Sequence, residues 1–323
     1  MQPNRRLFLS LSAAMLASPT RGFAQAWPDR PVRLLVPYAP GGPTDILARL
    51  VAPVWSEQLA QPVVVENVPG AGGNIGMARG ARSAPDGYTL TVVAPNIVIN
   101  PALYANAGYD PYADFVPVTV AVRTAVVVSV HPSVPANTLQ ELVALVKSQP
   151  GRHSYASPGS GTPPHLVAEQ LRLSHGLDLA HIPYSSAGQA VAAALGAQVP
   201  IVFSSTPPAI PHITAGKLRG LAVTGPRRVQ ELASTPTMAE SGNGDIDGEG
   251  WFAFVVPAAT PKDLVATLHR SLLSAMDSPA VRARFPGLGF EPIMSTPEAS
   301  AARLKSDGAK WMRVIRMAGI KAD

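Results

Sequence analysis

Short runs of apolar, mostly β-branched residues alternate with helical patterns along most of this 323-residue chain. The runs Val32 to Pro37, Val63 to Glu66 and Thr89 to Ala94 have the composition of buried strands, and Thr44 to Ala60 carries apolar residues on one helical face. Strands that are apolar throughout are typical of parallel sheets with helices on both faces. The alternation therefore predicts an α/β fold.

The length and one long β-branched stretch indicate two lobes. The 297 residues after position 26 exceed the size at which a single core usually stops growing. Val116 to Val130 is a candidate crossover, and a second α/β series follows it, although no internal repeat of fixed period is visible. We therefore expect two α/β lobes joined by a double crossover. Lobe 1 would comprise residues 27–124 and 226–323, and lobe 2 residues 125–225.

The first 26 residues have the pattern of an export signal. Arg5 and Arg6 precede a short apolar stretch, and Ala24-Gln25-Ala26 is an A-x-A cleavage sequence. Cleavage after Ala26 would leave a mature periplasmic protein that begins at residue 27. A twin-arginine signal and an ordinary Sec signal both fit this pattern, and an amphipathic start of the first domain is the remaining alternative.

Composition excludes several classes of protein and site. Hydrophobic residues make up 46% of the chain and charged residues 15%, so a large core can form and global disorder is excluded. The chain has no cysteine, and its seven histidines show no metal-ligand spacing, so we expect neither disulfides nor a metal. Beyond residue 26, 23 basic residues face 21 acidic ones and are scattered singly, which argues against nucleic-acid binding. No segment there has 18 unbroken apolar residues, so we expect no membrane insertion of the mature protein.

The loop from Tyr38 to Asp45, between a predicted strand and a predicted helix, is the first candidate site. Gly41 and Gly42 would let the backbone approach a ligand closely, and the N–H groups that open a helix favour an anion. Open parallel sheets bind ligands at the carboxyl ends of their strands, where this loop lies. The same residues also satisfy helix-initiation rules, with Gly42 as N-cap, Pro43 first and Asp45 third. The two roles are compatible, and the sequence does not choose between them.

A second loop, Ala156 to His165, again joins a strand end to a helix start through small and hydroxyl-bearing residues. Its N–H and O–H donors can converge on a carboxylate. A serine hydrolase would need a G-x-S-x-G elbow, which is missing, and Ser160 with His165 on one short loop is a poor catalytic arrangement. The glycine-rich loop Asn67 to Gly76 has neither G-x-G-x-x-G nor a Walker lysine, so it predicts a tight turn and no nucleotide cofactor.

Further short motifs lie along the whole chain after residue 26. They are Trp27 to Val32, Pro40 to Asp45, Val65 to Gly76, Ala84 to Leu90, Asn100 to Tyr104, Val130 to Ser133, Ser160 to Thr162, Pro211 to Ile213, Ala215 to Arg219, Leu221 to Thr224, Lys310 to Trp311 and Ala318 to Lys321. With these motifs the chain resembles the periplasmic solute receptors of tripartite tricarboxylate transporters, the Bug or TctC-type family.

The resemblance implies a two-lobed periplasmic binding protein of type II, whose α/β lobes close on a ligand in the cleft between them. It also implies that loops on opposite lobes grip a carboxylate, partly through ordered water. The residues assigned in this way are Tyr38, Gly41, Gly42, Thr44 and Asp45 on one lobe, and Ser157, Gly159, Ser160, Gly161, Thr162, His165, Tyr184 and Ser204 on the other.

The function implied is a monomeric receptor, without enzymatic activity or cofactor, that delivers a small organic acid to membrane permease subunits. An orphan receptor that signals to a sensor kinase and a secreted serine hydrolase are the alternatives. At the positions of Pro200 and Ser204 many relatives carry acids that could pair with a ligand amine. Their loss here disfavours an amino-acid ligand and leaves a mono- or dicarboxylate, with or without an aromatic ring.

Overall fold

The computed structural model describes residues 27–246 and 248–320, so the predicted export signal lies outside the described residues. Strands and helices alternate over these ranges, as the apolar pattern predicts. The strands are β1 Val32–Val36, β2 Val63–Asn67, β3 Thr89–Val93, β4 Phe115–Thr124, β5 Val126–Val130, β6 His153–Ser157, β7 Leu179–Pro183, β8 Ile201–Ser205, β9 Arg219–Val223, β10 Gly250–Pro257 and β11 Glu291–Pro292.

The helices mostly follow strands directly, so that each covers one face of a sheet. They are α1 Pro43–Leu59, α2 Asn74–Ala81, α3 Asn96–Leu103, α4 Leu139–Ser148, α5 Pro163–His175, α6 Ala187–Leu195, α7 Thr206–Thr214, α8 Lys262–Asp277, α9 Pro279–Arg282 and α10 Pro297–Ala318. Short 3₁₀ turns lie at Ala71–Gly73, Gln230–Leu232 and Pro286–Leu288.

The strands form two mixed sheets that share one topology. Sheet 1 has the order β11-β4-β10-β3-β1-β2, and sheet 2 has the order β7-β6-β8-β5-β9. In each sheet three parallel strands are followed by an antiparallel strand, β10 or β5, and then by β4 or β9. The two halves therefore repeat a fold although their sequences show no repeat of fixed period.

Apolar side chains cover both faces of both sheets. In β10, Phe252 and Phe254 pack with α1 and α8 on one face of sheet 1, while Trp251 and Ala253 face α10 on the other. The alternate residues of β5 divide in the same way between the two cores of sheet 2. Burial of both faces explains why these strands are apolar throughout rather than alternating with polar residues.

The chain passes between the sheets twice. Strand β4 ends at Thr124 in sheet 1, and β5 begins at Val126 in sheet 2, so the long β-branched stretch is a crossover. The return passage follows β9 and reaches β10 at Gly250. The predicted fold, two α/β lobes joined by a double crossover, is confirmed.

The return passage continues to pack on lobe 2 beyond residue 225, the predicted boundary. Met238 and Ile246 lie in the core of sheet 2, and the amide of Asn243 lies 2.6 Å from Nε2 of His175 in α5. The hydroxyl of Thr224 donates to the carbonyl of Gly248 at 2.9 Å. These contacts favour a boundary close to Gly248, so that lobe 1 would resume with β10.

Helix α3 was not among the predicted elements. Its sequence begins Asn96-Ile-Val-Ile-Asn, which has the β-branched composition of a strand, and Pro101 lies inside it. Ile97 and Ile99 are buried in a core between sheet 1 and α10. Tertiary packing therefore overrides local propensity in α3, and its N-terminus becomes part of the cleft described next.

Candidate functional site

The two lobes are in contact across the cleft that separates the sheets. A Cβ atom added to Gly188 at the start of α6 would lie 2.8 Å from the carbonyl oxygen of Gly41 in lobe 1. A Cβ atom added to Gly161 in lobe 2 would lie 2.1 Å from Cδ1 of Leu103 in lobe 1. Glycine at 161 and 188 therefore allows the two lobes to approach this closely.

An inner cavity of about 50 Å³ lies between the contacting loops. It is lined by residues of both lobes: Tyr38, Gly42, Pro43, Thr44, Ala94, Pro95, Asn96, Gly250 and Phe252 from lobe 1, and Pro158, Thr162, Pro163, Pro164, Ser186, Ala187 and Ser205 from lobe 2. None of these lining residues carries a charged side chain, so any attraction for an ion must come from neutral groups.

Five helix N-termini meet at the inner cavity. The lining contains the N-cap or the first residues of α1, α3, α5, α6 and α7. The dipole of a helix places partial positive charge at its N-terminal end. Prolines without an N–H open α1 and α5, and the Thr206 N–H that opens α7 donates to the carbonyl of Ala125, so the helix dipoles rather than free N–H groups supply most of this charge. The five termini come from both lobes, so their positive ends surround the cavity when the lobes meet. This arrangement favours an anion.

Tyr38 lies between the inner cavity and a larger outer cavity, since it lines both, and its hydroxyl is the notable group. This oxygen is buried and makes no hydrogen bond to the described residues. Burial raises the pKa of Tyr38, with a smaller contribution from Tyr104. The group is therefore a neutral O–H donor at neutral pH, and a ligand in the cleft could satisfy it.

Asp45 shapes the lobe 1 loop. Its carboxylate is buried and accepts hydrogen bonds from the Gly41 N–H at 3.0 Å, the Asn67 amide at 3.0 Å and the Arg49 guanidinium at 2.9 Å. Burial alone would raise the pKa of Asp45, but these hydrogen bonds outweigh it and lower the pKa below its ordinary value. Asn67 also donates to the carbonyl of Tyr38 at 3.0 Å. Asp45 therefore positions Gly41 and Tyr38.

His165 shapes the lobe 2 loop as Asp45 shapes the lobe 1 loop. Its Nδ1 accepts a hydrogen bond from the Gly161 N–H at 2.9 Å, and its ring stacks on His181 with 4.1 Å between centroids. Burial, with a smaller effect from Arg172, lowers the pKa of His165 to about 4. The ring is therefore neutral at neutral pH, and it holds the Gly161 loop through an uncharged acceptor.

The outer cavity has a volume of about 250 Å³ and adjoins the inner one at Tyr38 and Pro158. Its remaining lining is Pro37, Gly70, Ala71, Gly72, Gly73 and Tyr104 from lobe 1, and Gly159, Ser160, Pro183, Tyr184 and Ser185 from lobe 2. The glycine-rich loop after β2, predicted as a tight turn, therefore also forms one wall of the cleft.

Seven of the thirteen predicted site residues line the two cavities. Tyr38, Gly42, Thr44 and Thr162 line the inner cavity, and Tyr38, Gly159, Ser160 and Tyr184 line the outer one. The other six are not among the lining residues: Gly41, Asp45, Ser157, Gly161, His165 and Ser204.

Several of these six residues hold the lining in place. The hydroxyl of Ser157 accepts a hydrogen bond from the Gly159 N–H at 3.1 Å and lies 2.7 Å from Nε2 of His181. Ser204 is fully buried in β8 and bonds to the carbonyl of Ser205. Neighbouring strand residues face opposite sides of a sheet, and it is Ser205 that faces the inner cavity.

Several lining residues were not predicted from the sequence, although some of them have a recognisable sequence pattern. Ser186 and Ser205 are the N-caps of α6 and α7, which serine commonly provides. Each follows a predicted strand or a loop at the same edge of the sheet as the two candidate loops. Asn96 and Phe252 gave no such signal, because α3 was not predicted and Phe252 lies within an apolar strand.

The serine-hydrolase alternative receives no geometric support. Nδ1 of His165 already accepts the Gly161 N–H, and the lowered pKa of His165 makes its ring a weak base. A catalytic histidine needs a free nitrogen beside the nucleophile and a third group to orient it.

Among the described residues, no helix is both long enough and apolar enough to cross a membrane.

Comparisons with known proteins agree with this architecture. Residues 47–320 match the model of the tripartite tricarboxylate transporter family receptor. The chain is 33% identical over 313 residues to Protein BugT of Bordetella pertussis, covering 96% of this chain and 95% of BugT. Members of this family are substrate-binding proteins rather than enzymes.

Two solved structures share the fold closely. The periplasmic binding protein BugD superposes with a TM-score of 0.88 at 35% identity, covering 92% of this chain and all of BugD. The Rpa4515 protein of R. palustris with adipate gives a TM-score of 0.88 at 31% identity, with the same coverage of 92% and 100%. The match of family model, sequence and fold over nearly the whole chain shows that this protein belongs to the tripartite tricarboxylate transporter receptors, the Bug or TctC-type periplasmic solute-binding proteins.

Proposed function

We propose that this protein captures a small organic carboxylate in the inner cavity and delivers it to the membrane permease subunits of a tripartite tricarboxylate-type transporter. The observation that carries the proposal is the meeting of five helix N-termini at a cavity with no charged side chain in its lining. Partial positive charge without a fixed cation suits a carboxylate that must also be released.

The buried hydroxyl of Tyr38 supports the same proposal. A buried polar atom without a partner is costly, and a carboxylate oxygen would satisfy it. The hydroxyl of Ser186 accepts the Gln189 N–H and keeps its own hydrogen available to donate to a ligand. Tyr38 belongs to lobe 1 and Ser186 to lobe 2, so one carboxylate could draw the two lobes together.

Ligand binding would then favour the closed arrangement of the lobes. A ligand shifts an open–closed equilibrium only as far as it binds one state better than the other. The helix termini of lobe 1 and lobe 2 surround the cavity together only when the lobes meet, so the closed state places more positive helix ends around the ligand. The lobes would rotate about the two crossover strands, with lobe 1 at residues 27–124 and from β10 onward.

A thermal-shift screen of the mature protein over carboxylic acids tests the proposal. A carboxylate present at about 100 times its Kd should stabilise the protein by roughly 2.7 kcal/mol. The Tyr38→Phe variant should keep its apo stability and lose about tenfold in affinity, because a buried donor is removed without a change of shape. A shift with an uncharged sugar and none with any mono-, di- or tricarboxylate would contradict the proposal.

The family and the sequence support delivery to a permease and a periplasmic location. Receptors of this family are periplasmic, and residues 1–26 carry the pattern of a cleavable signal. We infer that the mature chain acts as a monomer beside its permease. Uptake of a labelled carboxylate by cells that carry the permease genes, with and without this receptor, tests delivery: equal uptake in both would contradict it.

A further inference from the structure

The motif Asn100 to Tyr104, at the end of α3, reaches the cleft with two of its side chains. Cδ1 of Leu103 in lobe 1 lies 2.1 Å from the position that a Cβ atom on Gly161 of lobe 2 would take. Tyr104 lines the outer cavity, and its hydroxyl lies 2.6 Å from the position of a Cβ atom on Gly72. The end of α3 is therefore in contact with lobe 2 and with the glycine-rich wall of the outer cavity.

Asn100, the first residue of this motif, links the walls of the two cavities although it lines neither. Its Nδ2 donates to the carbonyl of Gly72 at 3.0 Å and to Oδ1 of Asn74 at 2.7 Å. Its Oδ1 accepts a hydrogen bond from Nδ2 of Asn96 at 3.2 Å. Gly72 lines the outer cavity and Asn96 lines the inner one. One fully buried amide therefore joins the two walls.

The backbone carbonyl of Gly72 fixes the orientation of all three amides. A carbonyl oxygen only accepts hydrogen bonds, so Asn100 must turn its Nδ2 towards Gly72 and its Oδ1 towards Asn96. Asn96 must then turn its Nδ2 towards Asn100, and Asn74 must turn its Oδ1 there. Nδ2 of Asn74 is left buried and without a partner among the described residues. Reversing Asn100 would place two oxygens face to face at Gly72, so this side chain has one satisfied orientation.

Helix α3 depends on such contacts because its own sequence supports it weakly. Its β-branched residues favour a strand, and its N-cap, Pro95, provides no side-chain hydrogen bond. Beside Asn100, Tyr109 holds the helix, since its hydroxyl donates to the carbonyl of Ile97 at 3.1 Å. Removing the Asn100 amide would leave its buried partners unpaired and let the start of α3 shift relative to the inner cavity.

We infer that Asn100 is a positioning residue for ligand binding: it holds Asn96 at the inner cavity and the glycine-rich loop after β2 at the outer one, without contacting the ligand itself. The inference rests on the proposed function, because it requires that these cavities bind a ligand. It goes further by giving the Asn100 to Tyr104 motif a role and by making the shape of both cavities depend on one side chain.

Isothermal titration calorimetry and urea unfolding of the mature protein separate positioning from general stability. The probe is the tightest binder in a panel of mono-, di- and tricarboxylates that includes benzoate, adipate, malate and citrate. Asn100→Ala should lower the urea midpoint and weaken binding of this probe at least tenfold. Asn243→Ala is the matched control, because Asn243 is a buried asparagine of lobe 2 that bonds to His175 and Ser241 and lines neither cavity. It should also lower the urea midpoint but leave the affinity unchanged.

The outcomes distinguish the inference from the proposed function. Equal affinities of Asn100→Ala and the wild type overturn the inference and leave the proposed function intact, and so does an equal loss of affinity in Asn100→Ala and Asn243→Ala. Binding of no acid of the panel to the wild type overturns both. Where an alanine variant fails to fold, Asn100→Ser and Asn243→Ser, which return a hydroxyl to each position, are compared in the same way.

A double-mutant cycle tests whether Asn100 acts through Asn96. The two side chains are bonded directly, so their effects on affinity should not be additive. In the Asn96→Ala background, Asn100→Ala should cost at least threefold less affinity than in the wild-type background. The same loss in both backgrounds overturns the link from Asn100 to the inner cavity.

Discussion

The cleft loops of lobe 1 and lobe 2 are each held by a side chain of the helix that follows, but the two side chains differ in charge. In both, the third residue of the following helix accepts a hydrogen bond from a glycine N–H four residues earlier: Asp45 from Gly41, and His165 from Gly161. Both glycines have positive φ, 85° and 74°. The lobe 1 acceptor is an ionised carboxylate, and the lobe 2 acceptor is a neutral imidazole.

This difference shows how the cleft limits negative charge near the proposed anion site. Asp45 brings a negative charge close to the anion site, but Arg49 and Asn67 bind it, so it is compensated within lobe 1. His165 needs no compensation because burial keeps it neutral. Both side chains engage glycine N–H groups that could otherwise face a ligand. The loops are therefore held rigid before a ligand enters, which lowers the entropic cost of binding.

Loss of the lobe 1 acceptor should have the largest effect. Asp45→Ala leaves the Gly41 N–H, the Asn67 amide and the Arg49 guanidinium without their common partner. We expect the free energy of unfolding of the apo protein to fall by about 3 kcal/mol, as measured by urea unfolding. Arg49→Ala is the matched control. Its side chain is 53% exposed, so it should cost only about 0.5 kcal/mol. Unchanged apo stability with reduced affinity in Asp45→Ala would instead indicate direct ligand contact.

His165, the acceptor in lobe 2, should make the free energy of unfolding depend on pH. The folded-state pKa of His165 is about 4, below the unfolded value near 6.5. As pH falls, the unfolded state therefore takes up this proton first. Stability from His165 is complete above pH 6.5 and is lost between pH 6.5 and 4, by about 2 kcal/mol between pH 7 and pH 5. Asp45 stays ionised over that interval, because its pKa is lowered from 3.8.

Urea unfolding at pH 7 and pH 5 separates the contribution of His165 from those of its neighbours. His165→Asn keeps an acceptor for the Gly161 N–H but does not titrate, so its loss of stability over this interval should be smaller by that amount. The ionisable groups around the ring are His181, Tyr155 and Arg172, and Glu169 bonds to Tyr155 and Arg172. An identical pH dependence in the wild type and in His165→Asn would contradict the assignment.

The contact between the two lobes gives the smallest expected change. Gly188→Ala places a Cβ atom 2.8 Å from the Gly41 carbonyl oxygen, so it hinders closure, yet alanine suits a helix better than glycine. We expect apo stability to be unchanged or slightly higher and ligand affinity to fall about tenfold, measured by calorimetry. Gly196→Ala at the other end of α6 meets nothing closer than 3.6 Å and serves as the control. Equal affinity in both variants would show that the lobes need not approach this closely.

The two candidate loops were predictable because their signals are local. A strand end, glycine, proline and then a helix start can be read from neighbouring residues, as in Gly41-Gly42-Pro43. The α/β class followed in the same way from apolar runs of strand length. The core that Met238 and Ile246 join was not predictable, because it is decided only when the chain folds back.

The sequence by itself determined the fold class and the loops that carry glycine and hydroxyl groups, because each depends on residues close together in the chain. It determined the family through short motifs along the whole chain. The tertiary structure decided the direction of each side chain. It turned Asp45 and His165 towards the backbone of their own loops, and it brought Asn96, Ser186 and Ser205 to the cavity from three separate elements. It also placed five helix N-termini at one cavity, because the two sheets share the order of five strands and the cavity lies between the two lobes.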